Sequence, residues 1–389
     1  MDQSTITQQE LQARLDRAAA DFHLPGAAIA LIHGGQTLTA VTGVTNVRTR
    51  SRVVPETLFA AGSVTKVFTA SLIMTYVDAG LVDLAAPVQT YLPDFTLQDK
   101  ERSRLVTVRM PLDHTGGLPG NCMFDLPKSP HMIADIVRRL ADMPLVSEPG
   151  EHWSYSNAGM VVLGRIAEVL SGTTFDEVMA ARILHPLGLH ATADTNEMIL
   201  HSVAVGHLVD MATGSVQVVP RFQLDLSNSP AGATLFCDIG AMVTFARMHL
   251  NGGLAPDGTR VLSSASVAAI QAPQAEMPWA LGYDRMRLGW TIRKSGGHTV
   301  VSHTGANAGP HCVPEPNWLV SVARCCETTA LESSALIPSM RTVISASTES
   351  APKVSVTVES LPKVRRHLEY GPRRQGGSNR TSSGRQSVE

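Results

Sequence analysis

Leu58-Phe59-Ala60-Ala61-Gly62-Ser63-Val64-Thr65-Lys66 is the stretch on which the fold turns. A short apolar run enters it, and a longer one, Val67 to Ala79, leaves it and reads as a buried helix. Three residues apart on a helix means one face, so the Ser63 hydroxyl and the Lys66 ammonium can touch. A serine hydroxyl is a poor nucleophile until a neighbour takes its proton. A lysine moved out of water loses basicity and can be that neighbour. Acyl-transfer enzymes use this pair. A Ser-x-x-Lys also arises about once by chance in a chain of this size. The plain alternative is a helix start with Ser63 as N-cap and Lys66 reaching solvent. The company the pair keeps decides between them.

Further along stands Tyr155-Ser156-Asn157, after Pro149-Gly150-Glu151-His152-Trp153-Ser154. Ala158 to Leu170 then has helical apolar spacing and stops at Ser171-Gly172, a C-cap. The triplet thus sits on a loop just before a helix. A phenol beside two cations can lose its proton far below its usual pKa of about 10 and serve as general base. The Asn157 amide can hold Lys66 or a substrate carbonyl. Near the end, Thr299-Val300-Val301-Ser302 reads as a strand running into His303-Thr304-Gly305. A glycine there lets a substrate backbone lie close to the strand edge, and the next N–H can face a developing oxyanion.

In this order the three motifs resemble those of the serine β-lactamase and penicillin-binding-protein superfamily. The resemblance is to its class C-like branch of D-alanyl-D-alanine carboxypeptidases, D-aminopeptidases and β-lactamase-like esterases. Leu112-Asp113-His114-Thr115-Gly116-Gly117-Leu118-Pro119 is similar to the branch's His-Thr-Ser-Gly-Leu loop, and Leu288-Gly289-Trp290 to its Gly-Leu-Gly-Trp strand. The likeness runs from about residue 10 to 325, and around Phe59 to Leu84 it extends to the linearised-microcystin peptidase group. It implies Ser63 as nucleophile, with Lys66 and Tyr155 moving its proton. The N–H groups of Ser63 and Ala306 would form an oxyanion hole, while Asn157, His303, Thr304 and Gly305 bind substrate. No cofactor and no metal is implied. His303 would bind a substrate carboxylate only when protonated.

The implied fold is α+β, an antiparallel sheet flanked by helices with an inserted helical domain. Residues 4 to 22 read as an amphipathic helix capped near Ser4 or Thr5, and Ala27 to Thr42 as a hairpin turning at His33-Gly34-Gly35. Helical segments at Ile133 to Met143, Ala158 to Leu170 and Phe175 to Ile183 mark residues 84–240 as the insert. Residues 1–83 and 241–344 then form the sheet domain. Asp238 to Leu250 reads as a further helix, Trp318 to Ala323 as a late strand, and Leu336 to Ile344 as a closing helix. From 345 to 389 Ser, Pro, Gly and Arg dominate. Residues 341–389 hold nine Lys or Arg against four Glu, a net of +5, which reads as a basic, disordered tail.

Composition narrows the function. A formal charge of −2 over 389 residues offers no footprint for nucleic acid. Five cysteines without Cys-x-x-Cys indicate neither a disulfide framework nor a zinc site, and no His-Glu-x-x-His occurs. No Gly-x-Ser-x-Gly elbow is present. No run spans a bilayer, and Met1-Asp2-Gln3-Ser4 is unlike a signal peptide, so a cytoplasmic location is expected, or a periplasmic one if a leader has been removed. The reading is a serine hydrolase acting through an acyl-enzyme on the peptide or amide bonds of a small or nonribosomal-type peptide. Two alternatives are a carboxylesterase with weak β-lactamase activity and a non-catalytic binding domain.

Overall fold

Alternate residues of Gly26–His33 (β1) meet different partners on the two sides of a sheet. Ala27 and Ile29, with Ala40 of Gln36–Gly43 (β2), pack against Leu11, Leu15 and Ala18 of the helix Gln8–Asp21 (α1). Ala28, Ala30 and Ile32 face the main core. β1 and β2 form the expected hairpin, antiparallel from Gly26↔Gly43 to His33↔Gln36. α1 begins later than its composition suggests. Thr7 caps it rather than Ser4 or Thr5, because Thr7 and Glu10 close a reciprocal capping box. The computed structural model describes residues 6–33, 35–122, 124, 129, 131–210, 212–220, 226–278, 284–295, 298–305, 320–325, 348–349, 351–352 and 354–356.

Phe59–Ala60 (β3) leads through a 3-10 turn at Gly62–Val64 into Thr65–Asp78 (α2). Every side chain of α2 from Thr65 to Tyr76 is buried, the polar Thr65, Lys66, Thr69, Ser71 and Thr75 included, as the buried-helix reading expects. Phe68 stacks on Phe245 with ring centroids 3.7 Å apart. Each Phe or Leu buried this completely contributes about 1.5–3 kcal/mol, so α2 is anchored on all sides.

The short helices Lys100–Ser103 (α3) and Arg109–Asp113 (α4) precede Met132–Arg139 (α5), Asn157–Ser171 (α6) and Phe175–Met179 (α7). α6 stops at Gly172, whose φ of +73° suits a residue without Cβ. Then come Ala191–Thr192 (β4), Thr195–Met198 (α8), His207–Val209 (β5), Val216–Val218 (β6) and Phe236–Cys237 (β7). The region expected to be helical therefore also holds small sheets: β5 pairs with β6, and β7 joins β3 to β4. Ile239–Leu250 (α9) is the expected helix, capped by Asp238, and Ser264–Gln271 (α10) was not foreseen. Among the described residues no single helix is long and apolar enough to cross a membrane.

Ala275–Glu276 (β8), Arg285–Met286 (β9), Thr291–Ser295 (β10), His298–Gly305 (β11) and Val320–Cys325 (β12) extend the main sheet. Thr348–Glu349 (β13) and Ala351–Pro352 (β14) pair with each other, and Val354–Val356 (β15) completes the sheet. Its order is β2-β1-β15-β12-β11-β10-β9-β8, antiparallel throughout, so the α+β reading holds. β15 lies inside the stretch read as a disordered tail, and for these residues that reading fails. Val354-Ser355-Val356 has β-branched alternation and pairs with Ala30–Ile32 on one side and with Ala323 and Arg324 on the other. The closing helix expected over Leu336 to Ile344 lies outside the described residues, as does Ala306. One apolar cluster runs from Ala28 through α2 to Val161 and Val178.

Candidate active site

Ser63 is not an N-cap. It sits within the 3-10 turn that feeds α2, and Ala61, the residue capping that turn, makes no side-chain cap bond. The turn is clamped from two directions by glycines. A Cβ on Gly305 of β11 would collide with the Ala61 carbonyl and come within 2.9 Å of the Ser63 nitrogen. A Cβ on Gly232, at φ +135°, would lie 2.5 Å from the Gly62 carbonyl carbon. The room that Gly305 creates is thus filled by the nucleophile's own turn, where the sequence reading gave it to substrate.

Lys66 Nζ lies 3.0 Å from Ser63 Oγ and donates to the Ala231 carbonyl at 2.6 Å. The side chain is fully buried, and burial alone brings its pKa from 10.5 to about 7. A charged ammonium in low dielectric loses more in hydration than two neutral oxygen partners return, so the neutral amine becomes accessible near neutral pH. As an amine it keeps its donor bond to Ala231 and offers a lone pair to the serine proton.

Tyr155 completes the convergence, its hydroxyl donating to Ser63 Oγ at 2.9 Å while Lys66 Nζ stands 4.9 Å from its ring centroid. A network fixes the loop that carries it. Ser156 caps α6 through the Gly159 N–H at 2.9 Å and donates to the Pro119 carbonyl at 2.7 Å. His114, in the left-handed region at φ +62°, accepts the Ser156 N–H at Nδ1 and packs its ring 4.7 Å from that of Tyr155, tilted by 43°. Burial holds His114 well below the usual histidine range, with Lys66 and His303 adding to the effect, so it stays neutral. Of the two partners expected for Asn157, Lys66 is not the one it holds. Its amide donates to Asn121 at 2.7 Å, and the Ala231 carbonyl takes the place beside Lys66.

His303 also departs from expectation. It is 4% exposed, its Nδ1 donates to the Thr304 carbonyl at 2.8 Å, and burial next to Lys66 drives its pKa down to about 3. The imidazolium pictured from the sequence as a carboxylate receptor is therefore a neutral ring, and Lys66 is the one cation of the pair that can flank Tyr155. Thr304 is half-buried beside it.

The residues that sequence reasoning passed over lie in one segment. Ala231 holds Lys66, Gly232 abuts the Ser63 turn, and the Pro230 carbonyl accepts from Thr69 at 2.8 Å. Small residues in the run Pro230-Ala231-Gly232-Ala233 were the available clue to a close approach of backbones. A separate cavity of about 770 Å³, lined by Arg109, Asp113, Thr115 and Trp153 among others, does not include Ser63, Lys66 or Tyr155. Burial pushes the Asp113 carboxyl there up to about 6 against the opposing bonds from Thr115.

Comparison with known proteins gives the same picture. Penicillin-binding protein 4 of Amycolatopsis lactamdurans is 36% identical over 301 residues, 77% of this chain and 79% of that protein. Unguisins hydrolase ungD' of Aspergillus campestris (strain IBT 28561) is 29% identical over 306 residues, 74% of this chain and 55% of that protein. Among solved structures, the octameric penicillin-binding protein homologue from Pyrococcus abyssi superposes with a TM-score of 0.69 at 22% identity, over 91% of this chain and 74% of the other. D-amino acid amidase from Ochrobactrum anthropi SV3, complexed with L-phenylalanine amide, gives 0.65 at 20% identity, over 90% of each. The family model described as Beta-lactamase matches residues 11–322, and the chain belongs to that family of serine hydrolases.

Proposed function

We propose that this hydrolase cleaves amide bonds of short or nonribosomal-type peptides and amino-acid amides through an acyl-enzyme on Ser63. The observation that supports it is the convergence of Lys66 Nζ and Tyr155 OH on Ser63 Oγ, at 3.0 and 2.9 Å. Neutral Lys66 takes the serine proton as Oγ attacks the carbonyl carbon. Tyr155 delivers a proton to the departing amine and is reprotonated from Lys66. Water then attacks the acyl carbon, and the proton flow reverses to release the acid and restore Ser63.

The neutral His303 favours amides over substrates that need a fixed cation for their carboxylate. Among the similar proteins, one is named an unguisins hydrolase and one a D-amino acid amidase, and the latter name supports the amide class. Linearised microcystin is the specific substrate we would try first. A panel of D- and L-amino-acid amides, short peptides, linearised microcystin, p-nitrophenyl esters and nitrocefin tests the reading. Turnover of amides, lost with covalent labelling in Ser63→Ala, is expected. Turnover confined to esters or nitrocefin would replace the amide reading with the alternatives, and activity surviving in Ser63→Ala would remove the nucleophile assignment.

A further inference from the structure

His190, His201 and Asp238 stand in a row that the mechanism does not use. His190 Nδ1 and Asp238 Oδ2 are 2.7 Å apart, and His190 Nε2 lies 3.2 Å from His201 Nδ1. The carboxylate can only accept, so it fixes the proton on His190 Nδ1 and leaves a lone pair on Nε2. Asp238 cannot turn away, because it is buried and its other oxygen caps α9 through the Ala241 N–H at 2.7 Å. This is the outer half of a carboxylate–histidine–metal arrangement, in which the carboxylate fixes the tautomer and orients the ring.

We propose that His190 Nε2 and His201 Nδ1 together bind a divalent late transition-metal ion, zinc or copper, in an exchangeable site completed by water. Two nitrogens 3.2 Å apart, each about 2.0–2.1 Å from one ion, subtend an angle of about 100° at it, near tetrahedral. The His190 side chain is 41% exposed, which leaves an entry path and space for the water ligands. Two neutral imidazoles suit zinc and copper better than magnesium or calcium. Among the described residues no group of three protein ligands surrounds one point, so the site is a two-histidine clip and not a closed structural centre. On binding, His201 loses its Nδ1 proton to solvent and takes one up at Nε2, with no net change.

The clip would tie together two residues eleven apart in sequence, with Asp238, 48 residues beyond His190, orienting the first. His190 precedes β4, His201 lies beside the Ser202 carbonyl that accepts the Leu58 N–H at 2.8 Å, and Asp238 follows β7. β7 pairs with β3, which runs on into the Ser63 turn. An ion held there by the folded chain alone raises its melting temperature.

The test is calorimetric titration of the EDTA-treated, dialysed full chain with Zn²⁺, alongside Cu²⁺ electron paramagnetic resonance. One ion per chain, two imidazole nitrogens in the copper spectrum and a higher melting temperature with Zn²⁺ are expected. His190→Gln and His201→Gln should each abolish that site. Asp238→Asn, which keeps an oxygen for the α9 cap, should weaken it about 10–100-fold. Metal-free melting temperatures equal to wild type would show that a ligand has been lost and not the fold, and the copper spectrum of wild type stands even if a variant misfolds. Unchanged Zn²⁺ affinity in both histidine variants, no stoichiometric binding by wild type, or a single-nitrogen copper spectrum would overturn the proposal and leave a plain histidine–histidine hydrogen bond. Amide hydrolysis by the metal-free variants should match wild type.

Discussion

The start of α2 and the end of β11 bury two basic groups near each other, and the same physical cost makes opposite use of them. Lys66 begins at 10.5 and burial leaves it at about 7, within reach of titration at neutral pH. His303 begins at 6.5, and burial together with repulsion from Lys66 takes it to about 3. Low dielectric penalises any cation, so the starting basicity decides which group can still exchange a proton. The helix end therefore carries a working base. The strand end carries a fixed neutral ring whose Nδ1–H is spent on the Thr304 carbonyl.

The largest break in that comparison is Lys66→Met. It should cut kcat by about 10²–10⁴-fold by removing the base. Adding Tyr155→Phe should cost little more, because groups that act as one unit are strongly non-additive. Stability should move the other way. The folded-state pKa of Lys66 is depressed, so between about 7 and 10.5 the unfolded chain holds a proton the folded chain lacks, and stability rises with pH across that window. Methionine removes this slope and adds on the order of 4 kcal/mol at pH 7 as an upper figure. Denaturant titrations at the two ends of the window, with kinetics on the same samples, check both signs. A variant that lost stability along with activity would show that Lys66 is no burden to the fold.

Gly305→Ala attacks the comparison from the strand side. The added methyl meets the Ala61 carbonyl and the Val64 nitrogen at 2.8 Å, so the Ser63 turn has to move. A displacement near 1 Å at a reacting group costs about 10²-fold in rate. The expected signature is a fall in kcat with the Lys66-dependent pH limb kept in place. A shifted limb with unchanged kcat would mean that the glycine tunes Lys66 and does not position Ser63.

His303→Lys tests whether the two ends feel each other. A second buried cation should push Lys66 lower still, moving the acid limb of kcat/KM down from about 7 by about one pH unit. It should also cost stability most at acid pH, where both would be charged. An unmoved limb would show that the two groups are electrically independent.

The sequence made the chemistry legible where it depends on local spacing and obscured it where distant backbone decides. Ser63 and Lys66 are one helical turn apart, and Tyr155 precedes a helix with its own cap, so their placement followed from short-range rules. The carbonyl that holds Lys66 comes from Ala231, 165 residues away, and any residue type supplies a carbonyl. The charge of His303 was not legible because it depends on burial, which no motif records. The helix α1 and the β1–β2 hairpin followed from local pattern and a Gly-Gly turn, whereas the helix start did not, because the Thr7–Glu10 capping box outcompetes Ser4 and Thr5. β15 did not, because three alternating residues vanish inside a window of Ser, Pro and Arg.

The smallest expected effect is the sharpest check on His303. If the ring is neutral, the ratio of KM for a free-acid peptide to KM for its C-terminal amide should stay flat from about pH 5 to 8, since nothing at position 303 gains charge there. His303→Gln should leave the ratio flat as well, because an amide can still donate to the Thr304 carbonyl. Acid-limb changes owed to Lys66 act on both substrates alike and cancel in the ratio. A ratio that climbs through about 6.5 in wild type and flattens in His303→Gln would give the ring its ordinary pKa. It would make His303 a carboxylate receptor after all, and the strand end would join the helix end as a titrating half of the site.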